Sequence, residues 1–237
     1  MEALLYFIEL VGIISFSAAG AMIAIDSETD MLGVLIISLT TCFGGGLMRD
    51  IIVGDGLPAF FSMHLELVIC VATSLVIFMA AAFFKHEYVH EENTVNKINN
   101  VLDALGIGVF AATGTAMYIS HGPLVSIVSG TLTAVGGGLL RDIILRNVPF
   151  ILRKRVYAVA VIFGASLYYV FETYILSSVE GGGVISTIVC LGTVFIIRMC
   201  ATRFEWNIPK AIIFSEIADK SEKEEEEKQH SQPASKV

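Results

Sequence analysis

Basic residues are scarce and dispersed in this chain, with 15 lysines and arginines against 23 aspartates and glutamates and a formal net charge of -8. No basic patch is available to neutralise phosphates, which argues against nucleic acid as a partner. The first apolar stretch has no basic residues ahead of it, carries Glu2 and Glu9, and lacks a convincing cleavage site. It therefore reads as a retained helix and not as a signal peptide. Cysteine is limited to Cys42, Cys70, Cys190 and Cys200, with no CxxC spacing, so neither a zinc site nor a disulfide framework is supported. These four read as small buried hydrophobes. His64, His86, His90 and His121 fall in or beside loops without ligand spacing, which leaves a metal site unsupported. No lysine follows the glycine clusters as in a phosphate-binding loop, and the VGDG segment at Val53 to Gly56 lacks the second intramembrane aspartate motif of an aspartyl protease. An enzyme with a catalytic centre or a bound cofactor is thus not expected.

What is abundant is apolar surface. The chain is 55% hydrophobic with a mean hydropathy of +0.75, far above an ordinary soluble domain. Apolar stretches long enough to cross a bilayer run over 4–25, 31–53, 65–84, 101–119, 123–145, 156–176 and 184–203, predicting an all-α membrane protein with seven transmembrane helices. Lys85, Lys97, Arg146, Arg153, Lys154, Arg155, Arg203 and Lys210 all lie on the side reached after an odd number of spans. The excess of basic residues in cytoplasmic loops then predicts a multi-pass protein of the cell's inner membrane, N-terminus outside and C-terminus cytoplasmic. The run SEKEEEEKQH after the last span reads as a solvated, disordered tail.

The two halves repeat. Glu9, Gly12, Phe16, Ala18 and Gly20 match Asp103, Gly106, Phe110, Ala112 and Gly114 at a constant offset, and FGGGLMRDII in span two matches VGGGLLRDII in span five. Self-similarity over such a period points to duplicated structural units. With three spans in each unit, the second must be inserted upside down. The expected organisation is a first three-helix repeat over 1–90, an inverted second over 91–180, a seventh helix over 181–204 and the acidic tail over 205–237. The unpaired seventh helix is expected at the periphery or against a neighbouring subunit. Inverted repeats commonly place a transport pathway at their interface, near the midplane, where helices are interrupted.

Gly44, Gly45 and Gly46, with Gly136, Gly137 and Gly138, are the expected interruptions. Three glycines weaken a helix by roughly 3 kcal/mol relative to alanine, taking about 1 for each. Consecutive glycines also occupy three faces of a helix, which favours a bend over simple close packing. Arg49, Asp50, Arg141 and Asp142 follow directly, and ionised groups at membrane depth are costly unless paired or wetted. Sequence neighbours point about 100° apart on a helix, so the expectation is exchange across the pseudo-two-fold: Arg49 with Asp142 and Arg141 with Asp50, or arginines on carbonyls freed at the opposite bend. The other reading is a boundary anchor with snorkelling arginines. Glu9 and Asp103 would place acid at the two mouths, where it concentrates cations, or start helices facing the headgroups. Ser15, Ser17, Thr113 and Thr115 either pack helices closely or line an aqueous path.

At these residues the chain resembles the prokaryotic relatives of the trimeric intracellular cation (TRIC) channels, also known as the UPF0126 family or the glycine transporter domain. The resemblance covers most of residues 3–204 and rests on an acidic residue, then FAxxGA, then GGGxxRD, in two ordered copies; the first copy reads FSAAG. It implies a homotrimer in membrane lipid, each subunit carrying its own pore for monovalent cations, chiefly potassium, with bends at the six glycines and Arg49, Asp50, Arg141 and Asp142 on or beside the path. Residue chemistry alone leaves a secondary transporter open, since an arginine and an aspartate facing one cavity could hold a small amino acid such as glycine. A scaffold without transport is disfavoured by intramembrane charge it would not need.

Overall fold

The computed structural model describes residues 2–54, 56–153, 156–204 and 206. The acidic tail predicted beyond the last span, like Lys154, Arg155 and Lys210 of the orientation argument, lies outside the described residues. Helices α1 (Glu2–Asp26), α2 (Met31–Val53) and α3 (His64–Phe83) are followed by a short α4 (Lys85–His90), then α5 (Glu92–Met117), α6 (Pro123–Ile144), a single turn α7 (Phe150–Arg153), α8 (Tyr157–Val170) and α9 (Gly182–Arg203). Seven of them, α8 extended through a π-helical turn at Phe171–Ile175, have the length and hydropathy to cross a membrane. No strand forms among the described residues. The chain is an all-helical, seven-helix membrane protein.

Local chemistry explains the helix starts. Asp30 caps α2 by accepting a 2.8 Å hydrogen bond from the Gly33 amide, satisfying one of the donors a helix start leaves open. Gly122 and Gly181 adopt positive φ, 88° and 95°, a conformation natural to glycine, immediately before α6 and α9; Pro123 then occupies the first turn of α6, where its missing N–H costs nothing. Helix α5 begins nine residues before the apolar stretch at Val101, because the polar segment from Glu92 is helical without being lipid-like.

The most extensive helix contact joins α2 to α6, one from each repeat. Both are continuous α-helices through their glycine triplets, which corrects the expected interruption. The central glycines instead mark the helix crossing. A Cβ on Gly45 would collide with the Thr133 carbonyl oxygen, and one on Gly137 with that of Thr41. These two contacts are images of each other under the repeat, and each brings backbone against backbone. Close approach offsets the weak helix propensity of glycine through van der Waals contact that larger side chains would forbid. The same pseudo-symmetry sets Phe16 on Phe110, with ring centroids 5.1 Å apart, and seats Gly20 on Thr41 as Gly114 sits on Thr133. Helix α9 packs against α5 and α8, with Gly108 admitting the Leu191 backbone, while Ile185, Ile188 and Ile196 face outward. It is peripheral on one face only.

Candidate functional site

Two clusters of ionisable groups flank the α2–α6 crossing, one at each end. At the first-repeat end, a cavity of about 70 Å³ is lined by Glu9, Arg49, Asp50, Thr113 and Thr133, with apolar walls from Phe43, Phe60, Phe110 and Met117. That is room for a few ordered waters. Arg49 and Asp50 are 6% and 8% exposed. The Arg49 Nε and Nη2 both reach Asp50 Oδ1 at 2.7 Å, and Nη1 donates to Thr133 Oγ1 of the other repeat at 3.3 Å. Asp50 Oδ2 accepts from the Ala59 amide at 2.9 Å, tying down the segment after α2. Two guanidinium donors converge on one carboxylate oxygen in a charge-assisted contact, while the other oxygen is taken by the Ala59 amide. Glu9 stands half-buried in electrostatic reach of Glu66 and Arg49, and Glu66 accepts from the Tyr6 hydroxyl at 2.9 Å.

At the second-repeat end, Arg141 Nε donates to Asp142 Oδ1 at 2.8 Å, and the two are 2% and 4% exposed. Arg198 of α9 donates from Nη2 to Asp103 Oδ2 at 2.9 Å and lies 4.4 Å over the ring of Tyr157, a cation–π stack. Among the described residues, Arg141 Nη1 and Arg198 Nε are buried with no hydrogen-bond partner.

The expected exchange of charges across the repeats is therefore corrected: each arginine pairs with the aspartate beside it. Backbone directions 100° apart do not settle the matter, because the long arginine side chain folds back along the helix to reach its neighbour. What crosses between repeats is the Arg49–Thr133 hydrogen bond. Of the four hydroxyls, only Thr113 lines the cavity. Ser17 and Thr115 turn back to the carbonyls of Ile13 and Ala111, both at 2.6 Å, and Ser15 is buried. Of the glycines, Gly46 reaches the cavity wall, Gly44, Gly45, Gly136 and Gly137 belong to the crossing, and Gly138 faces Tyr157 and Arg141. Glu9 and Asp103 do occupy opposite ends, as their inverted positions require.

Arg198, Tyr157, Thr133 and Glu66 were not among the expected site residues. Arg198 did carry a signal, a lone ionised group inside an apolar helix; Thr133 carried one too, as the repeat mate of Thr41 four residues before the central glycine.

A second cavity, about 720 Å³, opens at the other ends of α1 and α3 beside Asp26, Glu28, Lys85 and Tyr88. The Tyr88 hydroxyl donates to Asp26 at 3.1 Å, and burial, followed by the negative charge of Asp26, pushes the phenol well above its ordinary pKa.

Comparison with known proteins matches residues 6–82 and 100–173, the two repeats, to the family model described as glycine transporter. The chain is 32% identical over 213 residues to the UPF0126 inner membrane protein YadS of Escherichia coli K12, covering 87% of this chain and 95% of that one. Among solved structures it resembles a TRIC cation channel studied for its conductance, with a TM-score of 0.72, 28% identity, and coverage of 87% of this chain and 97% of the other. It shares the fold of the TRIC trimeric intracellular cation channel orthologue from Rhodobacter sphaeroides, with a TM-score of 0.71, 24% identity, and coverage of 86% and 99%.

Proposed function

This chain belongs to the glycine transporter family of membrane proteins, the UPF0126 and TRIC group, and on that premise we propose that it is a cation channel, conducting mainly potassium through a pore within each subunit of a homotrimer. The N-terminus lies outside and the C-terminus in the cytoplasm. The observation that carries this reading is the charge balance of the first-repeat cavity. Arg49 spends Nε and Nη2 on Asp50 and Nη1 on Thr133, so its positive charge is matched locally and Glu9 and Glu66 are left in excess. A mouth with surplus acid raises the local concentration of cations.

The same geometry disfavours glycine as cargo. A substrate carboxylate would compete for the Nε–Nη2 edge of Arg49, which Asp50 already holds. The relatives support the cation reading independently, since the TRIC structures it resembles are cation channels. Motion at the α2–α6 crossing is the natural way to widen such a path. Facing glycines present no side chains to interlock there, so the two helices can slide or rotate on backbone contact.

Purified protein in a planar bilayer under a potassium chloride gradient tests the reading. Discrete current steps reversing near the potassium equilibrium potential are expected. Silence at all voltages with verified insertion, together with gradient-coupled uptake of glycine, would replace the channel by a carrier.

A further inference from the structure

The cavity of about 720 Å³ between the ends of α1 and α3 lies well away from the α2–α6 site. Asp26, on its rim, ends α1 about 25 Å beyond Glu9 at the rise of an α-helix. The floor of this cavity is apolar, built from Ile25, Phe78 and Ala82, and its rim carries Asp26, Glu28, Lys85 and Tyr88. We infer that it binds a zwitterionic aminophospholipid of the surrounding leaflet. The headgroup ammonium sits on Glu28 and Asp26, the phosphate on Lys85, and the first part of an acyl chain against the floor. None of this depends on whether the protein conducts ions.

The cavity stands where lipid changes from chain to headgroup. Helix α3 has 11% of its apolar window buried, the least of the seven spans, so its flank is bare toward lipid. Its apolar run ends at Phe83 and Phe84, both exposed, immediately before Lys85. A basic side chain at that boundary reaches headgroup phosphates. Ile25 and Phe78 pack on the buried cluster of Ala21, Ala24, Val34 and Ile37, which keeps the floor firm.

The rim is charged and unmatched. Glu28 and Lys85 line one cavity, yet among the described residues neither side chain has a hydrogen-bond or ion-pair partner. Glu28 is also held at φ 56°, the left-handed region that glycine occupies without strain. Its amide donates to the Ile25 carbonyl at 2.9 Å, and the Thr29 amide donates to that of Ala24 at 3.2 Å. The turn therefore presents a carboxylate to the cavity where a glycine would be easier to hold. Beside it, Asp26 accepts from the Tyr88 hydroxyl at 3.1 Å, which ties α1 to α4.

Opposite charges over an apolar floor select the ligand. A simple cation would meet Lys85 and gain nothing from the floor, and an anionic lipid would meet two carboxylates. A lipid bearing both an ammonium and a phosphate answers all three surfaces. The volume lies within the range of small-molecule sites, about 300–1,000 Å³, and holds the head with part of a chain, the remainder lying along α3.

Native mass spectrometry of the delipidated full-length protein, titrated with dioctanoyl phosphatidylethanolamine or with dioctanoyl phosphatidylglycerol, which lacks the amine, tests the site. One saturable lipid per chain is expected, with the ethanolamine lipid bound about fivefold tighter, the upper worth of one exposed ion pair. Glu28→Gln should abolish that preference, Lys85→Gln should weaken both lipids, and Ala82→Trp, which fills the floor, should remove the site. Glu28→Gly relieves the backbone strain, so it should lose the preference while gaining thermal stability, which separates recognition from a merely structural role. Equal affinities in wild type, or a preference that survives both Glu28 variants, overturns the inference. Displacement of the lipid by soluble phosphoethanolamine gives the site to a free solute and overturns it too. So does an absence of saturable binding together with an Ala82→Trp variant that falls apart into single chains, which would give this face to a second copy.

Discussion

The continuous helices through the glycine triplets make a prediction that separates a crossing from a hinge: Gly45→Ala should be costly and Gly46→Ala should not. Both changes gain the same helix propensity, about 1 kcal/mol for glycine to alanine, so their difference isolates packing. A methyl on Gly45 meets the carbonyl oxygens of Thr133 and Leu132, backbone atoms that move only if α6 moves. A methyl on Gly46 finds nothing nearer than Arg49 Nη2 at 3.8 Å. Overpacking a tight interface costs about 1–3 kcal/mol, so Gly45→Ala should fall below Gly46→Ala by that amount, and Gly137→Ala should behave like Gly45→Ala by pseudo-symmetry. Equilibrium unfolding of purified protein in mixed micelles, titrated with a denaturing detergent, gives the comparison. In bilayers the crossing variants should also alter gating or conductance, since they force apart the helices that flank the path. Equal stabilities for Gly45→Ala and Gly46→Ala, or a stabilised Gly45→Ala, would refute the crossing and return the triplets to a hinge.

Other outcomes follow from the site. Asp50→Asn strands the buried Arg49 and should destabilise the fold by about 3–5 kcal/mol, seen in the same unfolding titration. Thr133→Val keeps the shape but removes the acceptor for Arg49 Nη1, a loss of about 1.5–3 kcal/mol for a hydrogen bond to a charged group; because that bond ties the cavity wall of one repeat to the other, the change should also shift unitary conductance. Glu9→Gln should lower potassium current several-fold at 10 mM salt and far less at 1 M, as the Debye length contracts from about 30 to about 3 Å; a salt-independent effect would remove Glu9 from the mouth. Tyr88→Phe should cost about 0.5–1.5 kcal/mol. The Tyr88 phenol is raised in the folded state, so its contribution is complete below the ordinary tyrosine pKa and is lost as pH climbs through the raised one; wild type and Tyr88→Phe should therefore converge in stability only in strong alkali.

Much of this architecture is written in the chain itself. Seven apolar stretches became seven long helices, with the predicted and observed ends of α2 identical and α3 displaced by a single residue, because apolar length is a local property that lipid reads directly. The duplication was equally legible: an odd number of spans per repeat leaves no choice but inversion, and inversion put Glu9 and Asp103 at opposite ends. Arg49, Asp50, Arg141 and Asp142 announced themselves by the cost of charge in an apolar segment.

Tertiary structure decided what those residues do to one another. Glycine propensity predicts a break, yet α2 and α6 run unbroken, because contact with a second helix stabilises what an isolated helix would not hold. Arg49 closes on the adjacent aspartate because the antiparallel crossing leaves Asp142 at the opposite end, and the Ala59 amide fixes the Asp50 carboxylate where the guanidinium meets it. Ser17 and Thr115 have the composition of pore-lining hydroxyls, but burial at helix crossings turned both back to their own backbones. The pairing of Asp103 with Arg198 spans 95 positions and joins a repeat to a helix outside it. No periodicity encodes such a contact; it exists only because packing of α9 against α5 carries one arginine into the interior.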